Sequence, residues 1–399
     1  MIKREKYLSK IRGFYNDDLI KVITGIRRCG KSVLMKQIID ELLERNVEKS
    51  HIVYINFEDV ENSFIVDFTD LNNYIKSLMK DSDKYYLLFD EIQMIKEWER
   101  AINSFKATLN VSIFITGSNS KLLSSELATL LSGRYVSFKI APFSFSEVVD
   151  LKNISERNKL EECFSDYLLW GGLPQRFELN DIEKVKVYLN DVFNSIVLKD
   201  IVKRNGITNV TLFQRIMEYL VTNPSQTFSP TNMMNEFTKE EIPVSSKTVY
   251  ECLDYAESSL LMSKTCTYDV RGKRILSRKD KYYLADLGIG QILNKNKKMQ
   301  MGAYLENVVY NELLYRGYDV SVGNNNGKEI DFIATKYKEK IYIQVCYILA
   351  DDSVIEREFG AYSMIDDNYP KYVISMDKFD FSQNGIIHKN IIDWLLEKE

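Results

Sequence analysis

Eight residues constrain this chain more than any others: Gly25-Ile26-Arg27-Arg28-Cys29-Gly30-Lys31-Ser32. They fit G-x-x-x-x-G-K-[ST] in full. The apolar run Leu19–Thr24 precedes them, and a stretch in which Leu34, Ile38 and Leu42 repeat every four residues follows. Strand, glycine loop and amphipathic helix are the context in which this pattern holds phosphate. The glycines let main-chain N–H groups converge on phosphate oxygens, and the helix N-terminus adds a favourable field. In this reading the loop from Gly25 through Val33 surrounds a nucleotide's phosphates. Lys31 brings a mobile charge to the β- and γ-phosphates, and Ser32 offers a hydroxyl to Mg²⁺.

The second half of such a site is an acid that ends a buried strand. Tyr85-Tyr86-Leu87-Leu88-Phe89-Asp90-Glu91 supplies it. Asp90 is placed to hold Mg²⁺ through water, and Glu91 to polarise an attacking water. The next apolar run, Ile113–Thr116, leads into Gly117-Ser118-Asn119. Polar side chains at the C-terminal ends of parallel strands face a ligand crevice, so Ser118 and Asn119 are candidates to sense the γ-phosphate. Capping of the following helix is the alternative for both. Arg134, just before the run Tyr135–Ile140, is a candidate arginine finger, in cis or toward a neighbour's site. The competing role is a surface arginine.

These motifs resemble the AAA-type ATPases that have an additional strand between the loop-bearing strand and the Asp-Glu strand. More narrowly, the chain is similar to a bacterial and archaeal family joining such an ATPase to a C-terminal domain of unknown function. The resemblance rests on G-I-R-R-C-G-K-S, L-L-F-D-E-I-Q followed by Trp98, and I-T-G-S-N-S. It continues through L-S-G-R-Y before A-P-F-S-F-S-E, then G-G-L-P and E-I-D-F. It implies ATP binding and hydrolysis. Arg27 and Arg28 match the family's loop without an assigned role. No Gly-Ala-Arg type second sensor stands within 151–205, which leaves ring assembly open.

The expected fold class is α/β: a P-loop parallel sheet with helices on both faces, then a winged-helix domain and an α/β restriction-endonuclease-like domain. The expected boundaries are 1–150 for the ATPase core, 151–205 for a helical lid-like segment, 206–293 for the winged helix and 294–399 for the tail. The winged reading rests on helical segments, one capped near Ser245, before two β-type runs that flank basic residues. Arg271, Lys273, Arg274, Arg278, Lys279 and Lys281 against Asp280 give a net +5 over eleven residues. Lys247, Arg271, Lys273, Arg274 and Arg278 are the candidate contacts to double-stranded DNA. Docking on a partner protein is the alternative.

In the tail, Gly302–Glu306, then Glu329-Ile330-Asp331-Phe332, then Ile343-Gln344-Val345-Cys346 resemble the restriction-endonuclease-like fold. There a helix acid, a strand Asp and a [DE]-x-K motif build a Mg²⁺ site. Glu306 and Asp331 match the first two positions and are candidate ligands of a second metal. Gln344 stands where the acid is expected; its amide oxygen can still coordinate Mg²⁺. Cys346 stands where the lysine is expected, and a neutral thiol lacks the charge. A degenerate fold that does not cut is the expectation.

Composition narrows the rest. The formal net charge of −4 excludes a globally basic nucleic-acid coat protein but not a local basic patch. Five cysteines without a C-x-x-C pair make neither a disulfide framework nor a zinc cage, and two histidines set aside a His-rich metal centre. The N-terminal residues lack a signal-type apolar run, and no run approaches membrane-spanning length, so the expectation is a cytoplasmic protein without membrane partners. The reading with most support is an ATPase using ATP and Mg²⁺ as a conformational switch, with a homo-oligomer or a protein partner left open. An ATP-gated nuclease acting on foreign DNA and an ATP-binding interaction scaffold are the alternatives.

Overall fold

Strands β1 (Ile20–Thr24) and β3 (Tyr85–Asp90) are buried along their whole length, as strands covered on both faces must be. In the computed structural model they join β2 (Ile52–Asn56), β4 (Val111–Gly117) and β5 (Tyr135–Lys139) in one sheet, ordered β2-β3-β4-β1-β5. Every pairing in it is parallel. Strand β4 therefore lies between the loop-bearing strand and the Asp-Glu strand, as the motif order implied. The structure describes residues 2–118, 131, 133–203, 206–207, 209–239, 242, 244–270, 274–294, 300–325, 328–363 and 365–397.

Helices α1 (Glu5–Arg12), α2 (Lys31–Glu44), α3 (Phe68–Leu78) and α4 (Trp98–Thr108) belong with this sheet. One apolar core gathers Leu87 and Phe89 of β3, Ile113 and Ile115 of β4, Leu71 and Ile75 of α3, and Ile102 and Phe105 of α4. Trp98, which opens α4, is part of that core. Asp67 caps α3, its side chain accepting the N–H groups of Thr69 and Asp70.

The chain divides into two compact units, residues 1–141 with 258–260 and residues 142–257 with 261–399. The second begins with helices Phe145–Lys152, Arg157–Trp170 and Ile182–Ser195, the last continuing as a π-helix over Ile196–Lys203. Ser144 and Glu147 form a reciprocal capping box at the first of them. The Gly171-Gly172 turn is pinned rather than hinged. Gly172 N–H donates to Asp286 Oδ2 at 2.6 Å, and a Cβ on Gly171 would meet Asp286 Oδ1 at 2.0 Å.

Helices Val210–Thr222, Pro230–Lys239 and Ser246–Ser258 then precede β6 (Met262–Asp269) and β7 (Arg274–Leu284). Ser245 Oγ accepts the N–H of Thr248, the cap read from the sequence. Strands β8 (Asp319–Asn325), β9 (Lys328–Lys336), β10 (Glu339–Val345), β11 (Lys371–Ser375) and β12 (Ile387–Asn390) follow. With β6 and β7 they form a seven-stranded sheet ordered β12-β11-β10-β9-β8-β6-β7. The hairpin is thus not set apart from the tail. Thr267–Asp269 of β6 pair in parallel with Val322–Asn324 of β8, and the sheet crosses the expected division at residue 294. Pairing covers an edge that a free wing would leave open. No helix among the described residues is long and apolar enough to cross a membrane.

Candidate functional site

The glycine loop turns at the C-terminal end of β1, where two positions need glycine for stated reasons. A Cβ on Gly25 would lie 2.3 Å from the carbonyl oxygen of Ile140. Gly30, the cap of α2, has φ +104°, a left-handed backbone that costs glycine least. Between them Ile26 and Cys29 are buried, Arg28 is exposed with φ +67°, and Arg27 pairs with Glu58 at 2.9 Å. Burial pushes the Cys29 thiol up, so it stays a neutral packing group.

Lys31 is drawn inward. Its Nζ donates to the carbonyls of Gly25 at 3.1 Å and Ile26 at 3.4 Å, and lies 3.5 Å from Glu91 Oε1. Ser32 follows it in the first turn of α2, with Val33 next. Across the sheet edge Asp90 is fully buried, with both oxygens engaged. Tyr54 of β2 donates its hydroxyl to Oδ2 at 2.9 Å, and Thr116 of β4 donates to Oδ1. Glu91 leaves the strand with φ +57° and donates its N–H to Thr116 Oγ1 at 2.9 Å. Its Oε2 accepts from Gln93 and, at 3.2 Å, from Ser118 Oγ. Burial alone would raise the Glu91 carboxyl, but the Lys31 charge and the Gln93 and Ser118 bonds outweigh it and hold the group below the ordinary range. Glu91 is therefore an anion at neutral pH.

Loop, Lys31, Asp90, Glu91 and Ser118 thus meet at one edge of the sheet, as the sequence led one to expect. Arg134 does not. It precedes β5, and the pairing of Ile20 with Tyr135 fixes it at the N-terminal edge, where its carbonyl accepts the N–H of Ile20. Five residues at roughly 3.3 Å each separate that edge from the loop by about 16 Å. An exposed guanidinium there does not reach a phosphate on the loop, which corrects the expectation of a cis contact. Asn119 lies outside the described residues.

Of the DNA candidates, Lys247 and Arg274 have described side chains. Lys247 is exposed, 3.9 Å from Glu251, and Arg274 is exposed, 4.0 Å from Asp269. Arg271, Lys273 and the side chain of Arg278 lie outside the described residues. Lys281, counted in the basic stretch, faces inward: it is buried with Glu306, and the net charge of the hairpin overstates what solvent meets. Glu306 and Asp331 are both buried in that same region.

Sequence reasoning missed a bracket built on the N-terminal segment. Buried Arg4 donates from Nη1 to the carbonyl of Cys29 at 3.2 Å and from Nη2 to that of Ala141 at 3.1 Å. Tyr7 Oη accepts the N–H of Ala141 at 3.0 Å. Gln37 of α2 accepts the N–H of Arg4 at 3.1 Å and donates to the carbonyl of Ile2 at 2.7 Å. Glu41, one turn further along α2, gathers Lys3, Arg12 and Tyr15. The phosphate loop and Ala141, which follows β5, are thereby held by one guanidinium. No local pattern signals partners 25 and 137 residues away.

A family model described as an AAA domain matches residues 17–149, and one described as a domain of unknown function (DUF8612) matches residues 161–300. Among solved structures, the Walker-type ATPase of Pyrococcus abyssi aligns with 73% of this chain and 96% of its own at a TM-score of 0.48 and 15% identity. An uncharacterized protein of Haemophilus influenzae is 38% identical over 400 residues, covering 100% of this chain and 99% of its own length. An uncharacterized protein of Methanocaldococcus jannaschii is 31% identical, covering 86% of this chain and 78% of its own. The chain, a P-loop AAA domain continued by a domain of unknown function, therefore belongs to one protein family with the Haemophilus and Methanocaldococcus proteins.

Proposed function

We propose that the chain binds Mg²⁺–ATP on the loop Gly25–Ser32, hydrolyses it, and uses the cycle as a conformational switch. The observation that carries this reading is the convergence of Lys31, Asp90, Glu91 and Ser118 at the strand ends beside the loop. The donor set suits the metal and the nucleotide: a helix N-terminus and a lysine for phosphate, a hydroxyl and a buried carboxylate for Mg²⁺. Bound Mg²⁺ neutralises charge on the β- and γ-phosphate oxygens. Ser32 would hold it directly and Asp90 through water, because the Asp90 oxygens already accept from Tyr54 and Thr116.

Lys31 exchanges two main-chain carbonyls and Glu91 for phosphate oxygens. That exchange removes the cation 3.5 Å from Glu91 Oε1 and leaves Oε2 held by Ser118 and Gln93. The freed oxygen is the one that orients water and receives its proton. The ion pair between Lys31 and Glu91 is thus the element that nucleotide breaks, and Arg4 carries the loop's position to Ala141. Downstream, the second unit is the responding part. Its helices before the hairpin resemble a winged helix, with exposed Lys247 and Arg274 as candidate contacts toward double-stranded DNA, and its tail strands resemble the restriction-endonuclease-like order.

Fluorescent-ATP binding and phosphate release with and without Mg²⁺ test the reading. Wild-type chain binds and turns over ATP only with Mg²⁺, and Lys31→Ala loses both. Phosphate release that survives Lys31→Ala and Glu91→Gln together would sink it.

A further inference from the structure

A nuclease-like tail needs a divalent cation between its helix acid and its strand Asp. The residues here do not fit one, and the misfit is specific. Glu306, on the helix Met301–Tyr315, accepts from Lys281 Nζ at 3.0 Å and from Tyr283 Oη at 2.7 Å, both on Oε1. Lys281 also lies 2.6 Å from Glu329 Oε1. It comes from β7, beyond β8 and β6 in the sheet from the strand that carries Asp331.

The remaining expected ligands are turned to other work. Gln344, in the acid's place, accepts the N–H of Asp331 at 3.1 Å through its amide oxygen. Asp331 Oδ2 in turn accepts the N–H of Val345 at 2.8 Å. Among the described residues, the only three His, Cys or carboxylate ligand atoms within 4.8 Å of one another belong to His51, Asp81 and Asp83, in the other unit.

We infer that the Lys281 ammonium is a resident cation: held by the helix acid Glu306 and by Glu329, two residues before Asp331 on the same strand, it supplies in place of a divalent metal the positive charge this acidic cluster needs, and the tail neither binds that metal nor cuts. The hairpin then has a use other than grasping DNA. It delivers, from sequence before the tail, the charge that closes the acidic cluster, and so fastens β7 to the helix Met301–Tyr315. One positive charge against two carboxylates on a protein-supplied stem does what a metal would do for the pair, without an exchangeable ligand. This inference does not rest on the ATP site.

Mn²⁺ titration of the full chain without nucleotide, read by electron paramagnetic resonance as the difference between wild type and Asp331→Asn, tests it. Wild type should show no Mn²⁺ site that Asp331→Asn removes, and its melting temperature should be the same in EDTA and in Mn²⁺. Lys281→Met should gain one Mn²⁺ site, lost again in Lys281→Met with Glu306→Gln. Should Lys281→Met fail to fold, Lys281→Arg keeps the charge and should stay free of Mn²⁺. A wild-type Mn²⁺ site abolished by Asp331→Asn, or plasmid cleavage by wild type that needs Mn²⁺ and Asp331, overturns the inference. So does a folded Lys281→Met that gains no Mn²⁺.

Discussion

Lys31 and Lys281 are both buried lysines paired with carboxylates, and they are held differently. Lys31, with 4% of its side chain exposed, rests on carbonyls of a glycine loop and stands 3.5 Å from one carboxylate. Lys281, 5% exposed, sits in a strand at 3.0 Å and 2.6 Å from two carboxylates. The first contact set is long, partly main-chain, and built on a loop whose partners a phosphate can replace. The second is short, doubly charged, and framed by a sheet and a helix. Similar residue types therefore serve exchange in one unit and closure in the other. Closeness and the rigidity of the supporting elements decide which.

The contrast is sharpest on stability. Lys281→Met leaves buried Glu306 without its cation, a loss of about 3–5 kcal/mol in the second unit, while Glu329, with 46% of its side chain exposed, stays hydrated and adds little. Denaturant midpoints would read it, and adding Glu306→Gln should restore part. Equal stability of Lys281→Met and wild type would break the comparison. Lys31→Ala should do the reverse: melting close to wild type, with phosphate release down by roughly 10²–10³-fold.

Arg4→Ala tests whether the loop is held from the N-terminal segment. It should weaken ATP binding and hydrolysis by about tenfold, the scale of losing the one charge-assisted hydrogen bond to the loop carbonyl of Cys29, about 1.5 kcal/mol. Arg4→Lys should recover little, because an ammonium lacks the fork that spans Cys29 and Ala141. Full activity in Arg4→Ala would show that the loop stands alone.

The smallest effect concerns pH. Hydrogen bonds from Arg12, against the cost of burial and with Lys3 and Tyr15 assisting, lower the Glu41 carboxyl to about 2. A depressed carboxylate stabilises the fold above its unfolded value of 4.5 and loses that contribution as pH falls toward 2. The stability difference between wild type and Glu41→Gln should therefore shrink steadily below pH 4.5 in acid-denaturation curves. A difference that stays constant would place Glu41's contribution in packing rather than charge.

Much of the first unit was legible because its signals are local. Four apolar runs read from the sequence became four of the five parallel strands, and the acid after Phe89 landed where the loop's partner belongs. The cis half of the Arg134 expectation could have been set aside by a rule at hand, since a residue that precedes a parallel strand lies at the edge opposite the chain's own ligands, whereas a contact toward a neighbour's site stays open. Tyr54 and Thr116, which hold Asp90, and Arg4, which holds the loop, depend on pairing between distant segments. Lys281 was lost in a charge run. Net charge over eleven residues carries no information on which face of a strand each side chain takes, and one inward lysine changes what the hairpin is for.

The central claim is that Glu91 orients the water that cleaves ATP bound on the Gly25–Ser32 loop. Phosphate release by wild type and Glu91→Gln at saturating Mg²⁺–ATP, with bound nucleotide measured on the same samples, addresses it most directly. Glu91→Gln should bind nucleotide as wild type does and release phosphate about 10²–10⁴-fold more slowly, the range for losing a general base. Equal rates in the two proteins would contradict it.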